Sequence, residues 1–258
     1  MKLALFSPYG LVHSEGGVLY LIANYLLKNG ADVVQLRCDG AFSACGRDSR
    51  VAGGRNVMSC ARCIGEQRAL AQWASSKSRE MSSFLVSDDV LQSAKWLSSV
   101  RTADLVRAEF RGMNLWSACA DEFTARYPES VIAELAPREE EVLRQLFIGY
   151  IHATVASERF ISGVVPDLHF VAGSVDPLSR AYMKQAHASG GDIAMFFYDP
   201  AEEAIVVEAA RTGARYATKL LLNGITSMRN DPRTWAPEVT AVVHEILTFL
   251  GFAPDRVS

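Results

Sequence analysis

The sequence predicts an α/β protein: a Rossmann-like, open and largely parallel sheet flanked by helices, with a long cysteine-bearing and helical insertion after the second strand. Three observations predict it. An apolar run, an amphipathic helix and a second apolar run follow one another within the first 37 residues, the order of a right-handed βαβ unit whose strands are parallel neighbours. Alternating strand-like and helix-like segments resume near residue 168. Between these two regions the pattern is helical, with no convincing strand. With 49% hydrophobic and 21% charged residues, the 258-residue chain has enough apolar material for a substantial core. A single domain over 1–258 is expected, its insertion running roughly from 38 to 157 as a cysteine loop (38–63) and a helical part (64–157).

Residues 2–7 read as a buried strand that ends at Pro8 and Gly10. Val18, Leu19, Leu21, Ile22, Tyr25 and Leu26 recur at helical spacing, and Asn29-Gly30 stops the helix. Val33, Val34 and Leu36 mark a second strand over 32–37. Periodicity then lapses through a stretch rich in Gly, Ser, Arg and Cys, and loops of that length are usually functional or tied together. Helices follow over 66–73, 89–100, 103–125 and 138–155, with Trp73, Trp96 and Trp116 as core. Strands are expected over 168–172 and 193–198, helices over 178–188 and 202–211, a short strand over 216–222 and a last helix over 236–250. Asp199-Pro200-Ala201-Glu202-Glu203 reads as the acidic first turn of the 202–211 helix.

Charge and hydropathy exclude several classes. With 29 acidic and 26 basic residues the net charge is -3, so there is no cationic field to attract nucleic acid or an anionic membrane surface. No apolar run approaches the roughly 18–20 residues of a membrane-spanning helix, and no transmembrane segment is expected. The opening MKLALF breaks at Ser7-Pro8-Tyr9-Gly10 without the longer apolar region of a signal peptide, which predicts a cytoplasmic protein.

Ligands on parallel sheets bind beyond the carboxyl ends of the strands, which directs attention to three segments. In the first loop, Gly10, Gly16 and Gly17 would let the backbone approach a substrate, and His13 or Glu15 would act as a general base. The alternative is that Ser14 or Glu15 caps the helix while His13 faces solvent. Neither a GxGxxG fingerprint nor a P-loop is present. The second segment carries Cys38, Cys45, Cys60 and Cys63. In a cytosolic chain such crowding points to metal or redox chemistry. A structural zinc held by four thiolates would clamp the loop, although six residues between the first two cysteines is wider than a standard ribbon. An iron–sulfur cluster, a redox pair at Cys60 and Cys63, and free structural thiols remain open alternatives. Cys119 reads as a small buried hydrophobe. In the third segment, Gly173 and Ser174 would offer amides to a substrate and Arg180 would reach a phosphate or carboxylate. The alternative there is a helix cap by Ser174 or Asp176, with Pro177 at the first helical position.

Taken together these segments resemble the N-terminal half of bacterial GT-B-type glycosyltransferases and glycosyltransferase-like proteins of surface-polysaccharide loci. In that group a first strand ends in a Pro-containing loop with a His and an acidic residue, and the second strand runs into Cys-Asp-Gly and further cysteines. Here these features stand as Ser7-Pro8-Tyr9, His13-Ser14-Glu15, and Cys38-Asp39-Gly40 followed by Cys45, Cys60 and Cys63. The similarity extends to Pro166-Asp167, the Gly173-Ser174 turn with Arg180, and Asp231-Pro232-Arg233-Thr234-Trp235. It covers most of the chain, and the cysteine block is its distinctive part.

The resemblance implies two facing Rossmann-like domains, the acceptor bound mainly by the N-terminal one and the sugar nucleotide donor by the other. The chain has no later glycine-rich loop for a nucleotide diphosphate, so the resemblance implies a missing C-terminal domain or a partner chain. It further implies a saccharide or lipid-linked acceptor, activation of its hydroxyl by His13 or Glu15, and a cytoplasmic location peripheral to the inner face of the membrane. Two other readings compete with it. One is a non-enzymatic, metal-stabilised α/β binding or assembly module that docks through 64–157; the other is a thiol redox protein using Cys60 and Cys63.

Overall fold

The computed structural model describes residues 1–10, 14–42, 57–173, 176–199, 201, 204–211, 214–221 and 236–252. The first unit is β1 (Lys2–Ser7), α1 (Ser14–Lys28) and β2 (Asp32–Arg37). The two strands pair in parallel from Lys2 opposite Asp32 to Ser7 opposite Arg37, and both are buried apart from their first residue. Gly30, at φ 82°, turns the chain out of α1, where Ala31 returns its N–H to the Leu26 carbonyl.

Next comes α2 (Val57–Ala74), so the stretch expected to be loop as far as residue 63 is helical from 57, and Cys60 and Cys63 stand on a helix. The expectation of no strand in this region is also corrected. Lys77-Ser78-Arg79-Glu80 forms β3 (Lys77–Glu80), a parallel edge strand that places Glu80 opposite Arg37. Its side chains are all polar and its outer edge carries no partner strand among the described residues, so no buried apolar face exists to announce it.

After α3 (Ser87–Ser99), the helix expected over 103–125 is broken. Arg111 and Gly112 both adopt positive φ (50° and 72°) and close a small hairpin of β4 (Glu109–Phe110) and β5 (Met113–Asn114) before α4 (Leu115–Arg126). Asn114 caps α4 by accepting the Ser117 N–H. The longest helix, α5 (Pro137–Val164), leads into β6 (Leu168–Ala172), α6 (Pro177–Ala188) and β7 (Asp192–Asp199). The segment expected as a helix over 202–211 is instead β8 (Ala204–Arg211), which pairs antiparallel with β7 and with β9 (Ala214–Leu221). Ile205, Val206 and Val207 suit an extended chain better than a helix, and Asp199, read as helix-starting, lies at the β7–β8 turn, where it accepts the Ala201 N–H. The last described element is α7 (Ala236–Phe249).

The main sheet runs β3-β2-β1-β6-β7-β8-β9, with the first five strands mutually parallel. One face, with Leu3, Leu5, Val33, Phe170 and Phe196, packs beneath α1 and α7. The other, with Phe6, Leu36 and Val171, packs against α4, α5 and α6. No described helix is long and apolar enough to cross a membrane.

Candidate functional site at the strand crossover

From β1 the chain winds outward to β2 and β3, then returns across the sheet to β6 on the other side of β1. Adjacent loops therefore leave β1 and β6 in opposite directions, and sheets of this kind bind ligands in a crevice beyond such strand ends, which here are Ser7 and Ala172. On the β1 side the Ser7 hydroxyl donates to the Tyr9 carbonyl at 2.8 Å. A Cβ on Gly16 would lie 3.3 Å from Ser7 Oγ and from the Tyr9 carbonyl oxygen, so that glycine lets the first turn of α1 sit close on the loop.

On the β6 side Gly173 has φ 75°, and a Cβ there would stand 3.0 Å from the Asp176 carboxylate. Asp176 caps α6, accepting from the N–H groups of Leu178 and Ser179 at 3.0 Å each, with Pro177 at the first helical position. Of the two alternatives open for this turn, capping by Asp176 is the one observed. The Tyr9 side chain lies beside the Asp176 carboxyl and favours its charged form, which brings the two loops together across the crossover. Burial pushes the Asp176 carboxyl upward against those hydrogen bonds.

Two expected ligand contacts are used internally. The Gly173 N–H donates to the Phe196 carbonyl at 2.8 Å, extending the β6–β7 pairing instead of facing a substrate. Arg180 donates to the Ser117 carbonyl at 3.1 Å and pairs with Asp121, so it ties α6 to α4. Next to that pair stands Glu122, largely buried, whose Oε1 accepts Arg126 Nε at 3.0 Å and Nη2 at 2.7 Å. Burial raises its carboxyl, Arg126 opposes that, and the Asp176 charge adds to the rise. Sequence reasoning missed Glu122. The Glu122-x3-Arg126 spacing was a usable signal, but the unbroken helix expected over 103–125 left α4 without a place at the crevice.

The third wall belongs to α2. Gly10 donates its N–H to Cys63 Sγ at 3.2 Å, and Gln67 Nε2 reaches both that sulfur at 3.5 Å and the Pro8 carbonyl at 3.4 Å. A Cβ on Gly10 would fall 2.7 Å from Glu66 Oε2 and 2.9 Å from the Cys63 carbonyl oxygen. Gly10 is thus a contact point for α2, and its amide is engaged inside the protein. Beneath it, Gln35 Nε2 meets the Tyr20 hydroxyl at 2.5 Å, and burial pushes that phenol up to about 12. Arg37, at the carboxyl end of β2, is buried with Nη2 on Glu80 at 2.5 Å, while its Nε and Nη1 have no partner among the described residues. Arg68 shares Glu80 at 3.1 Å.

Cys38 follows Arg37, and its sulfur accepts the Gly40 N–H at 3.4 Å. Asp39 accepts Ser82 N–H at 3.2 Å and the Ser82 hydroxyl, fixing the turn after β3. Among the described residues no three His, Cys, Asp or Glu side chains are grouped to hold a metal ion. Cys45, His13 and Ser174 lie outside the described residues. Gly17 and Glu15 lie in the first turn of α1, and the Glu15 side chain is outside the described set. Cys119 is buried and its thiol is pushed up by burial, in keeping with a core position. No protein-family profile and no curated protein matches this chain.

Proposed function

We propose that the chain is the acceptor-side domain of a GT-B-like glycosyltransferase, transferring a sugar from a sugar nucleotide to a saccharide or lipid-linked acceptor. The observation that carries this reading is the strand crossover between β1 and β6, where Tyr9 meets Asp176 and Glu122 stands close by on α4. An acceptor hydroxyl at that crossover needs a base as it attacks the anomeric carbon. His13 or Glu15 is assigned that role. Glu122 is the second group able to hold or move a proton, because burial moves its carboxyl toward neutrality. A second Rossmann-like domain or a partner chain would bring the donor.

The test is transfer by the purified protein, alone and with candidate partner domains, over a panel of sugar nucleotides and saccharide or lipid-linked acceptors. Expected is turnover that falls about 100-fold or more in the His13→Ala/Glu15→Ala double variant, the range of a lost general base. Wild-type turnover in that variant and in Glu122→Gln would remove the crevice from the mechanism. A second reading, the non-enzymatic assembly module, is favoured by the exposed Val86, Val90 and Leu91 around the start of α3. It predicts no transfer with any donor.

A further inference from the structure

We infer that Cys60 and Cys63 form a thiol–disulfide switch that controls how Pro8, Tyr9 and Gly10, just beyond β1, are seated at the strand crossover. The inference is independent of which ligand the crevice takes. Both residues are free thiols on α2, one turn apart, Cys60 half-buried and Cys63 buried. Residues three apart on a helix have Cα atoms about 5 Å apart, within the range a disulfide spans. A bridge held in helical backbone is strained, and strained bridges belong to the readily reduced, regulatory class.

What makes the pair consequential is the position of the Cys63 sulfur. It accepts N–H groups from Gly10 and Gln67, and the same Gln67 amide holds the Pro8 carbonyl. To bond with Cys60 the sulfur must turn away from Gly10 toward the preceding helical turn. The Gly10 N–H, buried under Glu66 and the Cys63 carbonyl, then loses its acceptor, and an orphaned buried donor is costly. The loop must move, and the Tyr9 contact to Asp176 moves with it.

The chemistry balances with a small-molecule disulfide such as oxidised glutathione as the oxidant. The half-buried Cys60 sulfur attacks it and releases one glutathione thiol, leaving a mixed disulfide. Cys63 sulfur attacks Cys60 sulfur, the Cys60–Cys63 bond forms and the second glutathione leaves. Two electrons pass to the oxidant, and the two thiol protons end on the two glutathiones.

The experiment equilibrates the whole protein over a series of reduced-to-oxidised glutathione ratios. Free thiols are blocked, the bridge is located by peptide mass spectrometry, and Gly10 amide hydrogen exchange is followed. A reversible Cys60–Cys63 bridge is expected, with Gly10 exchange about tenfold faster in the oxidised form, the scale of one lost hydrogen bond. Cys60→Ser retains the Gly10 contact and should make that exchange indifferent to oxidant. The inference is overturned by a bridge that maps to Cys38 or Cys45, by oxidation that halts at a glutathione adduct on Cys60, or by a Cys60–Cys63 bridge with unchanged Gly10 exchange. Stoichiometric zinc that protects both thiols would overturn it too.

Discussion

The two ends of the parallel strands are built differently. At the amino ends the polar groups close the structure. Lys2 N–H reaches the Asp167 carboxylate at 2.7 Å, Asp167 N–H returns to the Lys2 carbonyl at 2.8 Å, and Lys77 pairs with Asp32 at 2.7 Å. Each of those groups has a partner close at hand. At the carboxyl ends, loops and helices from distant parts of the chain converge, and buried atoms of Arg37 and Gln67 are left without partners among the described residues. Natural interiors leave few such atoms, and those that persist call for an explanation. The difference teaches that the amino end holds the sheet together while the carboxyl end carries polar capacity beyond what folding uses. One buried group departs from the pattern: His169, near the amino end of β6, bonds Tyr182 through Nδ1 at 2.9 Å while Nε2 has no partner among the described residues.

That histidine gives the largest expected effect. Burial lowers its pKa to about 4 from an ordinary 6.5. The unfolded chain therefore takes up a proton first as pH falls, so the stability contribution is complete above 6.5 and is lost between 6.5 and 4, on the order of 3 kcal/mol. Asp176 and Glu122 act with the opposite sign, because raised carboxyls favour folding at low pH and lose that contribution as pH rises through their folded values. Urea unfolding of wild type and His169→Gln between pH 7 and 4 checks this; an equally steep decline in both would break the assignment.

Gly10→Ala comes next. The added Cβ meets backbone at 2.9 Å, so a loss of about 2 kcal/mol is expected from overpacking. Gly65→Ala, on the same helix as Cys63 and with nothing within 4 Å of its Cβ, should instead stabilise by about 0.8 kcal/mol through helix propensity. Matching denaturation midpoints for the two variants would show that α2 does not press on the loop.

The smallest effect sharpens the comparison most. Arg37→Met removes a half-partnered buried cation and leaves Glu80 with Arg68. A change within about 1 kcal/mol is expected, because removing one partner of a buried pair is costly only where the other charge is left unpaired, and the partly exposed Glu80 keeps Arg68. A loss of 3 kcal/mol or more in the same thermal or urea series would mean that Arg37 belongs to the scaffold.

The fold was legible where burial is two-sided. β1, β2 and β6 end where their apolar runs end, because strands covered on both faces have no polar alternation to blur them. β3 was hidden because an edge strand with four polar residues carries no such signal. β8 was misread because Glu202, Glu203, Glu208 and the alanines around them favour a helix locally, while pairing with β7 decides the outcome. At the site the positions were legible and the roles were not. Gly10, Gly16, Gly173 and Arg180 do gather at the carboxyl ends, but spacing cannot say whether an amide faces a ligand or a neighbouring helix. Only the packing of α2, α4 and β7 answers that.

The central pairing of β1 with β6 joins residues 165 apart, as in the Lys2 to Asp167 bond. A ribosome adds roughly 5–20 residues per second, so β1 is synthesised roughly ten to thirty seconds before the strand that completes it. Through that interval the edge of β1 that β6 will pair with has no strand beside it. Newborn chains should therefore lean on a holding chaperone until the long helix and β6 have emerged, and truncations that end before residue 168 should aggregate.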